Sequence, residues 1–358
     1  MKMFEKLKSA KTILKERGLS NFVSFIRQRL ARDLAGNKLS NYFPIMGFYQ
    51  HPDGEMITLY ACYRDYLKPV HFLAHTHEEG YQLYLRGNGE KYVVHAGLNG
   101  AMQFLSFVTN DLHIDVHGKK ILDVGCGDGA LVYLLAAKGA DEVHGIDADL
   151  SVQSYHLQYR ELFKKALIQF LQFPEEKVGE IEKKIKIFQD DIQSPQINDR
   201  FDIIFSNSVL EHIRDLKTGL RAMRELLNTG GIMVHKFNPF YSETGGHEFC
   251  ILDFPWGHVR LSLDEIAHYL ETYRAWEKDK ALEVFDRSFN QPKLTLQEID
   301  EIAQNLDLKC LFASEKRTCR WKPDSPPSHI LSQCRRTYPN ITWRDLMSDS
   351  VTRAFLKL

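Results

Sequence analysis

The run KKILDVGCGDGALVYLLA begins at Lys119 and sets Asp123 just ahead of three alternating glycines, Gly125, Gly127 and Gly129. An apolar strand that enters glycines and leaves as a helix brings bare backbone close to a ligand at the carboxyl edge of a sheet. The helix start adds free N–H groups. This is a nucleotide-type site. Gly125, Gly127 and Ala130 also satisfy the dinucleotide pattern, so the loop alone does not choose between cofactors. Asp147 ends the run VHGIDAD, where a carboxylate can accept both hydroxyls of a ribose. Asp123 is awkward beside a pyrophosphate and welcome beside a ligand carrying an ammonium and a sulfonium; its other reading is a loop brace. FQDDI places Asp190 and Asp191 where one acid can accept from an adenine amino group while the next backbone N–H donates to the ring. The other acid reads as a solvated loop charge.

These residues need a scaffold. From Lys119 onward strands alternate with helices: KKILDVGC, ALVYLLAAKG closed by Gly139, DEVHGIDA, a helix opened by Ser151, KIKIFQDDI, FDIIFSNSVLEHI, a helix DLKTGLRAMRELLNTGG ending on paired glycines, and IMVHKFNPF. Such alternation with apolar strands predicts a parallel sheet covered on both faces. LTLQEIDEIAQNLDLKCLFASEK then reads as a last helix and a returning strand, and the end of the chain as a short helix or strand. Upstream, YQLYLRGNGEKYVVHAG reads as two strands joined by a turn at Gly87 to Gly89. His71, His75 and His77 form an ordinary polar loop on this reading, with no third ligand at a telling distance and no metal site.

The segments ILDVGCGDG, GIDAD, FQDDI, FDIIFSNSVLEHI and LLNTGGIMVHKFNPF resemble, in order and spacing, the class I S-adenosylmethionine-dependent methyltransferases. The resemblance covers about residues 120 to 260 well and runs more loosely to about 320. It implies an α/β, Rossmann-like fold: a seven-stranded, mostly parallel sheet with helices on both faces and a reversed last strand. It implies S-adenosylmethionine as cofactor. Gly125, Gly127 and Gly129 would line its methionine part, with Cys126 in the same loop and Asp123 near the amino group. Asp147, with Ala148 beside it, would hold the ribose; Asp191 and Ile192 would flank the adenine; Asn207 and Ser208 would face the transferable methyl. Thr229 stands where the family pattern has a proline, and Gly230 and Gly231 still supply the turn's flexible positions.

The acceptor is written less plainly, because such sites are grafted around a common sheet. FNPFYSETGGHEFCILDFPWGHVRLSLDEI follows the fifth strand, and similar GHE and PWGHVR segments occur in a branch linked to small molecules, glycans and secondary metabolites. It reads as a substrate lid or wall. A hydroxyl acceptor must lose a proton, and a histidine is the usual base; His247 and His258 are the candidates, with His235 and His212 behind them. Each has the alternative role of bracing its own turn. An amine or an activated carbon needs no base. Residues 262–295 read as a largely helical, charged insertion.

Composition narrows the partners. Over 358 residues, 44% hydrophobic and 26% charged content mark a globular protein, and a net charge of -1 gives no global basic excess for nucleic acid. Six scattered cysteines without a CxxC pair read as reduced thiols in a cytoplasmic protein. No segment approaches the roughly 18 apolar residues of a membrane helix. Residues 1–38 carry ten Lys or Arg against three acids, with apolar residues at helical spacing. They read as an arm packed on the domain or in a homodimer contact, with peripheral membrane contact the alternative. The expected division is an extension over 1–105, a methyltransferase domain over 106–322 with a lid or insertion over 238–294, and a tail over 323–358. The expected activity is methyl transfer to a hydroxyl oxygen of a small-molecule or glycan-like acceptor. The alternatives are a non-catalytic cofactor-binding scaffold and a nicotinamide-dependent oxidoreductase.

Overall fold

The structure is a computed structural model that describes residues 45–60, 90–148, 164–165, 168, 172–243, 245, 252–289, 292–317 and 328–358. The basic N-terminal arm, the histidine loop at 71–77, the strand and turn at 81–89, the helix opened at Ser151, His247 and the linker at 323–327 lie outside the described residues. The chain divides into two compact units. The first combines residues 1–83, 238–296 and 315–350; the second combines 84–237, 297–314 and 351–358.

The second unit holds a seven-stranded sheet. Its strands are β3 (Lys120–Val124), β4 (Glu142–Asp147), β5 (Ile185–Gln189), β6 (Phe201–Asn207), β7 (Leu227–Phe237), β8 (Leu308–Lys316) and β9 (Ser350–Lys357), in the order β5-β4-β3-β6-β7-β9-β8. β5, β4, β3, β6 and β7 pair in parallel, and β9 runs antiparallel to β7, so the sheet is mostly parallel with a reversed last strand, as the resemblance implies. The central strands are largely apolar, and Ile121, Leu122, Ile204, Phe205 and Val234 are fully enclosed, as a sheet covered on both faces requires. The helices α1 (Glu90–Ser106), α2 (Ala130–Ala137), α3 (Glu175–Lys183) and α4 (Leu216–Leu226) belong to this unit, with most of α8 (Leu296–Asn305). α1 covers one face, where Phe104 meets Phe205 edge-on at 5.7 Å.

Two sequence expectations change here. EKYVVHAG is the start of α1 and not a strand, because Leu98, Ala101, Phe104, Leu105 and Val108 continue it with buried positions three or four apart. α4 ends at Leu226 and not on the paired glycines. β7 starts at Leu227, opposite Phe201, and resumes with Ile232 opposite Ile203, so residues 228–231 loop out within the strand. Gly230 takes φ +77° in that loop. α3 has no counterpart among the sequence expectations; it is short and mostly charged, with only Val178 and Ile181 buried.

The first unit contains an antiparallel hairpin, β1 (Ile45–Gln50) and β2 (Met56–Tyr60). With it stand α5 (Gly257–Arg260), α6 (Leu263–Tyr273), α7 (Lys278–Phe289), α9 (Ser328–Thr337) and α10 (Trp343–Met347). The charged insertion is thus helical, as expected. Ser262 and Glu265 form a capping box that opens α6. Tyr49, Ile57 and Leu59 from the hairpin join Phe254, Trp256, Tyr269 and Leu346 in one core. Trp256 buries its indole and donates its N–H to the Leu346 carbonyl at 2.9 Å, which removes the cost of enclosing a polar atom.

Candidate functional site

The glycine loop leaves β3 at the carboxyl edge of the sheet. Gly125 N and Cys126 N donate to the Ile146 carbonyl at 2.7 and 3.0 Å, which ties the loop to the end of β4. Gly127 N donates to Asp147 Oδ2 at 3.1 Å. Gly125 and Gly127 have φ of +70° and +51°, where L side chains are strained. Their surroundings differ. A Cβ on Gly125 would stand 2.3 Å from Val209 Cγ2, whereas one on Gly127 would meet nothing within 4 Å. The first glycine permits packing against the loop after β6; the second faces open space of the kind a bound ligand needs. Gly129 caps α2 in the left-handed region.

Three aspartates surround this loop. Asp123 is buried, and burial, then Asp147, then Asp128 push its carboxyl well above the usual range. Asp128 is raised by burial as well. Its Oδ1 accepts from Ala130 N at 3.1 Å, and its other oxygen occupies space that a Cβ on Gly97 of α1 would take, 2.9 Å away. Asp128 was not anticipated; its place two residues before a helix start is the signal that points to it. Cys126 is buried, and its thiol is raised by burial and by the same three acids. The arrangement is hostile to a pyrophosphate and suited to a ligand that brings positive charge. It therefore fits a sulfonium-bearing amino acid better than a dinucleotide.

At the end of β5 the acid not assigned to the adenine has a structural part. Asp190 is buried, not a solvated charge: its carboxylate accepts Gln196 N at 3.1 and 3.0 Å and Ile197 N at 3.3 Å. Asp190 N donates to the Asp147 carbonyl at 3.0 Å. Asp191 accepts Gln193 N at 2.9 Å, and Ile192 is buried beside it. After β6, Asn207 pairs with Lys236 of β7, and Ser208 takes φ +61° while its N–H donates to the Lys236 carbonyl at 2.7 Å. Gly125, Gly127, Asp147, Ala148, Asp191, Ile192, Asn207 and Ser208 thus all lie at or just beyond carboxyl ends of parallel strands, the edge at which open α/β sheets bind ligands.

The histidines separate. His258 lies in the first unit, fully buried, with Nε2 at 2.8 Å from the Phe240 carbonyl and the ring edge-on to Phe240. A ring so enclosed, with one nitrogen at the Phe240 carbonyl, fits the alternative role of a brace. His235 lies in the sheet, with Nδ1 at 2.7 Å from Ser206 Oγ; burial drives its pKa down to about 3, so it is neutral at physiological pH. His212 is exposed on the short turn Leu210–His212. His247 lies outside the described residues.

The profile of a family described as a methyltransferase domain matches residues 100–306. A ubiquinone biosynthesis O-methyltransferase of Stutzerimonas stutzeri is 32% identical over 192 residues, 49% of this chain and 69% of that protein. A tRNA U34 carboxymethyltransferase of Pseudomonas fluorescens is 30% identical over 122 residues, 34% of this chain and 33% of that protein. Among solved structures, the magnesium protoporphyrin IX methyltransferase from Synechocystis with bound S-adenosylhomocysteine aligns over 78% of this chain and 94% of its own, at 13% identity and a TM-score of 0.41.

Proposed function

The chain belongs to the methyltransferase-domain family, an S-adenosylmethionine-dependent class, and from that premise we propose that it methylates a hydroxyl oxygen of a small-molecule or glycan-like acceptor. The single observation behind the cofactor's placement is the ring of Asp123, Asp128 and Asp147 around a glycine loop that leaves open space over Gly127. In this reading Gly125, Cys126, Gly127 and Gly129 shape the methionine end, with Asp123 beside its ammonium. Asp147 and Ala148 hold the ribose, and Asp191 and Ile192 take the adenine. Asn207 and Ser208 face the methyl end.

When bound, the cofactor supplies an electrophilic methyl on a sulfonium that is already a good leaving group. The protein's task is alignment and, for a hydroxyl, removal of a proton. Of the two histidines first considered, His247 carries the proposal, since the His258 ring is enclosed and committed to a carbonyl. A hydroxyl acceptor is supported by the name of the first relative, and a net charge of -1 gives no basic excess for a nucleic acid. The name of the second supports a tRNA acceptor as the alternative.

The test has two stages. Calorimetric titration with S-adenosylmethionine, S-adenosylhomocysteine and NAD should give binding of the two sulfur compounds only; binding of NAD alone refutes the reading. Transfer of a labelled methyl is then screened against hydroxylated small molecules and total tRNA. Labelling confined to tRNA refutes the small-molecule acceptor. His247→Ala should lose turnover on the accepted substrate and keep S-adenosylhomocysteine affinity.

A further inference from the structure

A second groove, of about 460 Å³, lies between residues 193–200 and α4, wholly within the second unit. Its wall is held in place before any ligand arrives. Asp190 fixes the backbone at Gln196 and Ile197, and Gln193 Oε1 accepts from Asp215 N at 2.8 Å, which ties the loop to the residue capping α4.

Two exposed guanidiniums line this groove, Arg200 from the loop and Arg221 from α4. Among the described residues neither makes a hydrogen bond or an ion pair. Asp215, whose carboxyl Arg221 helps to hold down, is occupied by Thr218 N and Oγ1 at 3.0 and 2.7 Å. Glu225 is the one acid in the lining. Arg200 also acts beyond the groove: burial, then Arg200 and Arg224, push the Lys357 ammonium below its usual range, and Glu225 opposes them.

We propose that this groove binds the phosphoryl group of a small ligand, with Arg200 and Arg221 closing on its oxygens from the two walls. Guanidinium forks match phosphate geometry, and such pairs form the stronger class of hydrogen bond. The volume suits a small molecule, within the roughly 300–1,000 Å³ usual for such pockets. Ser194 and Asn198 at the rim add a hydroxyl and an amide. The groove shares its loop with Asp191 and Ile192 and is otherwise independent of the cofactor assignment.

The experiment titrates the full chain with inorganic pyrophosphate at low salt, in wild type, Arg221→Gln and the double variant Arg200→Gln/Arg221→Gln. S-adenosylhomocysteine titration of each serves as the fold control. Wild type should bind pyrophosphate, Arg221→Gln should bind about tenfold more weakly, and the double variant should lose binding while keeping S-adenosylhomocysteine affinity within about twofold. No binding by wild type, or binding retained by the double variant, overturns the proposal. So does an RNA oligonucleotide that binds through the two arginines when pyrophosphate does not. Failure of S-adenosylhomocysteine to bind wild type would refute the cofactor reading and leave the pyrophosphate result intact.

Discussion

The two glycines that open the loop are alike in sequence and differ in what they hold apart, and substitution should separate them. Gly125→Ala meets both a φ of +70° and the Val209 side chain at 2.3 Å. It should cost about 2 kcal/mol or more in urea unfolding and weaken cofactor binding as a consequence. Gly127→Ala meets open space and a φ of +51°. It should cost only about 1 kcal/mol, yet weaken S-adenosylhomocysteine binding at least as much if the cofactor lies over the loop as proposed, because its Cβ would enter that open space. Equal binding by Gly127→Ala and wild type would remove the ligand from that space. Asp123 adds a pH signature. Its carboxyl is raised by burial, then by Asp147 and Asp128, so it holds a proton in the free protein above the usual carboxylate range. A cationic ligand favours the ionised form, so binding should release a proton and tighten as pH rises toward the raised value. Calorimetry in buffers of different ionisation enthalpy reads that proton, and Asp123→Asn should abolish its release. His235 titrates the other way. It is lowered from 6.5 to about 3. The unfolded chain therefore binds a proton that the folded one refuses, and stability present above pH 6.5 is lost as pH falls toward 3. From pH 7 to pH 5 that loss is about 2 kcal/mol. It should appear as the difference between wild type and His235→Asn, since other groups titrate in both.

At the scale of elements, the strands were the legible part. β3, β4 and β6 are buried, largely apolar runs bounded by glycine, acid or polar turns, and β5, at the edge of the sheet, is announced by Ile185, Ile187 and Phe188. α1 was misread because Val93 and Val94 favour strands locally, while its helical period is carried by Leu98 to Val108, farther along. The looped-out residues 228–231 were misplaced because paired glycines end helices as readily as they form bulges; only the pairing partners Phe201 and Ile203 decide. The loop after β5 shows what sequence withholds at a site. FQDDI offers two equivalent acids, and burial with hydrogen bonding makes Asp190 the brace. Asp190→Ala leaves the N–H groups of Gln196 and Ile197 without their acceptor. It should cost about 2 kcal/mol in urea unfolding and speed amide hydrogen exchange across 193–198. Unchanged exchange there would mean that the loop's order comes from Gln193 and Asp191 alone.

At the scale of the molecule, contiguous stretches of sequence do not correspond to units. Each unit draws on three segments, and the one bearing the cofactor loop takes its last strand from residues 351–358. The chain end, expected as a short helix or strand within a tail, supplies β9, and its place is between β7 and β8 with Val351 to Phe355 buried. Nothing local announces this. SVTRAFLK carries an arginine in mid-strand, and Arg353 is tolerated in a buried strand only because Asp300 of α8 accepts its Nε at 2.7 Å and the Ser314 and Thr352 carbonyls accept its Nη1. Those acceptors are 39 and more residues away, except for the neighbouring Thr352. Removing β9 would leave β7 with an unpaired apolar edge and Asp300 without its cation. A chain ending at Asp349 should therefore fail to give soluble, S-adenosylhomocysteine-binding protein. Arg353→Met tests the strand without deleting it. Burying methionine there should lower stability by about 1 kcal/mol, because the Asp300 side chain is 36% exposed and keeps water when it loses its cation. A soluble, ligand-binding chain truncated at Asp349 would show that β3 to β7 fold as a sheet on their own and that β9 only covers their edge.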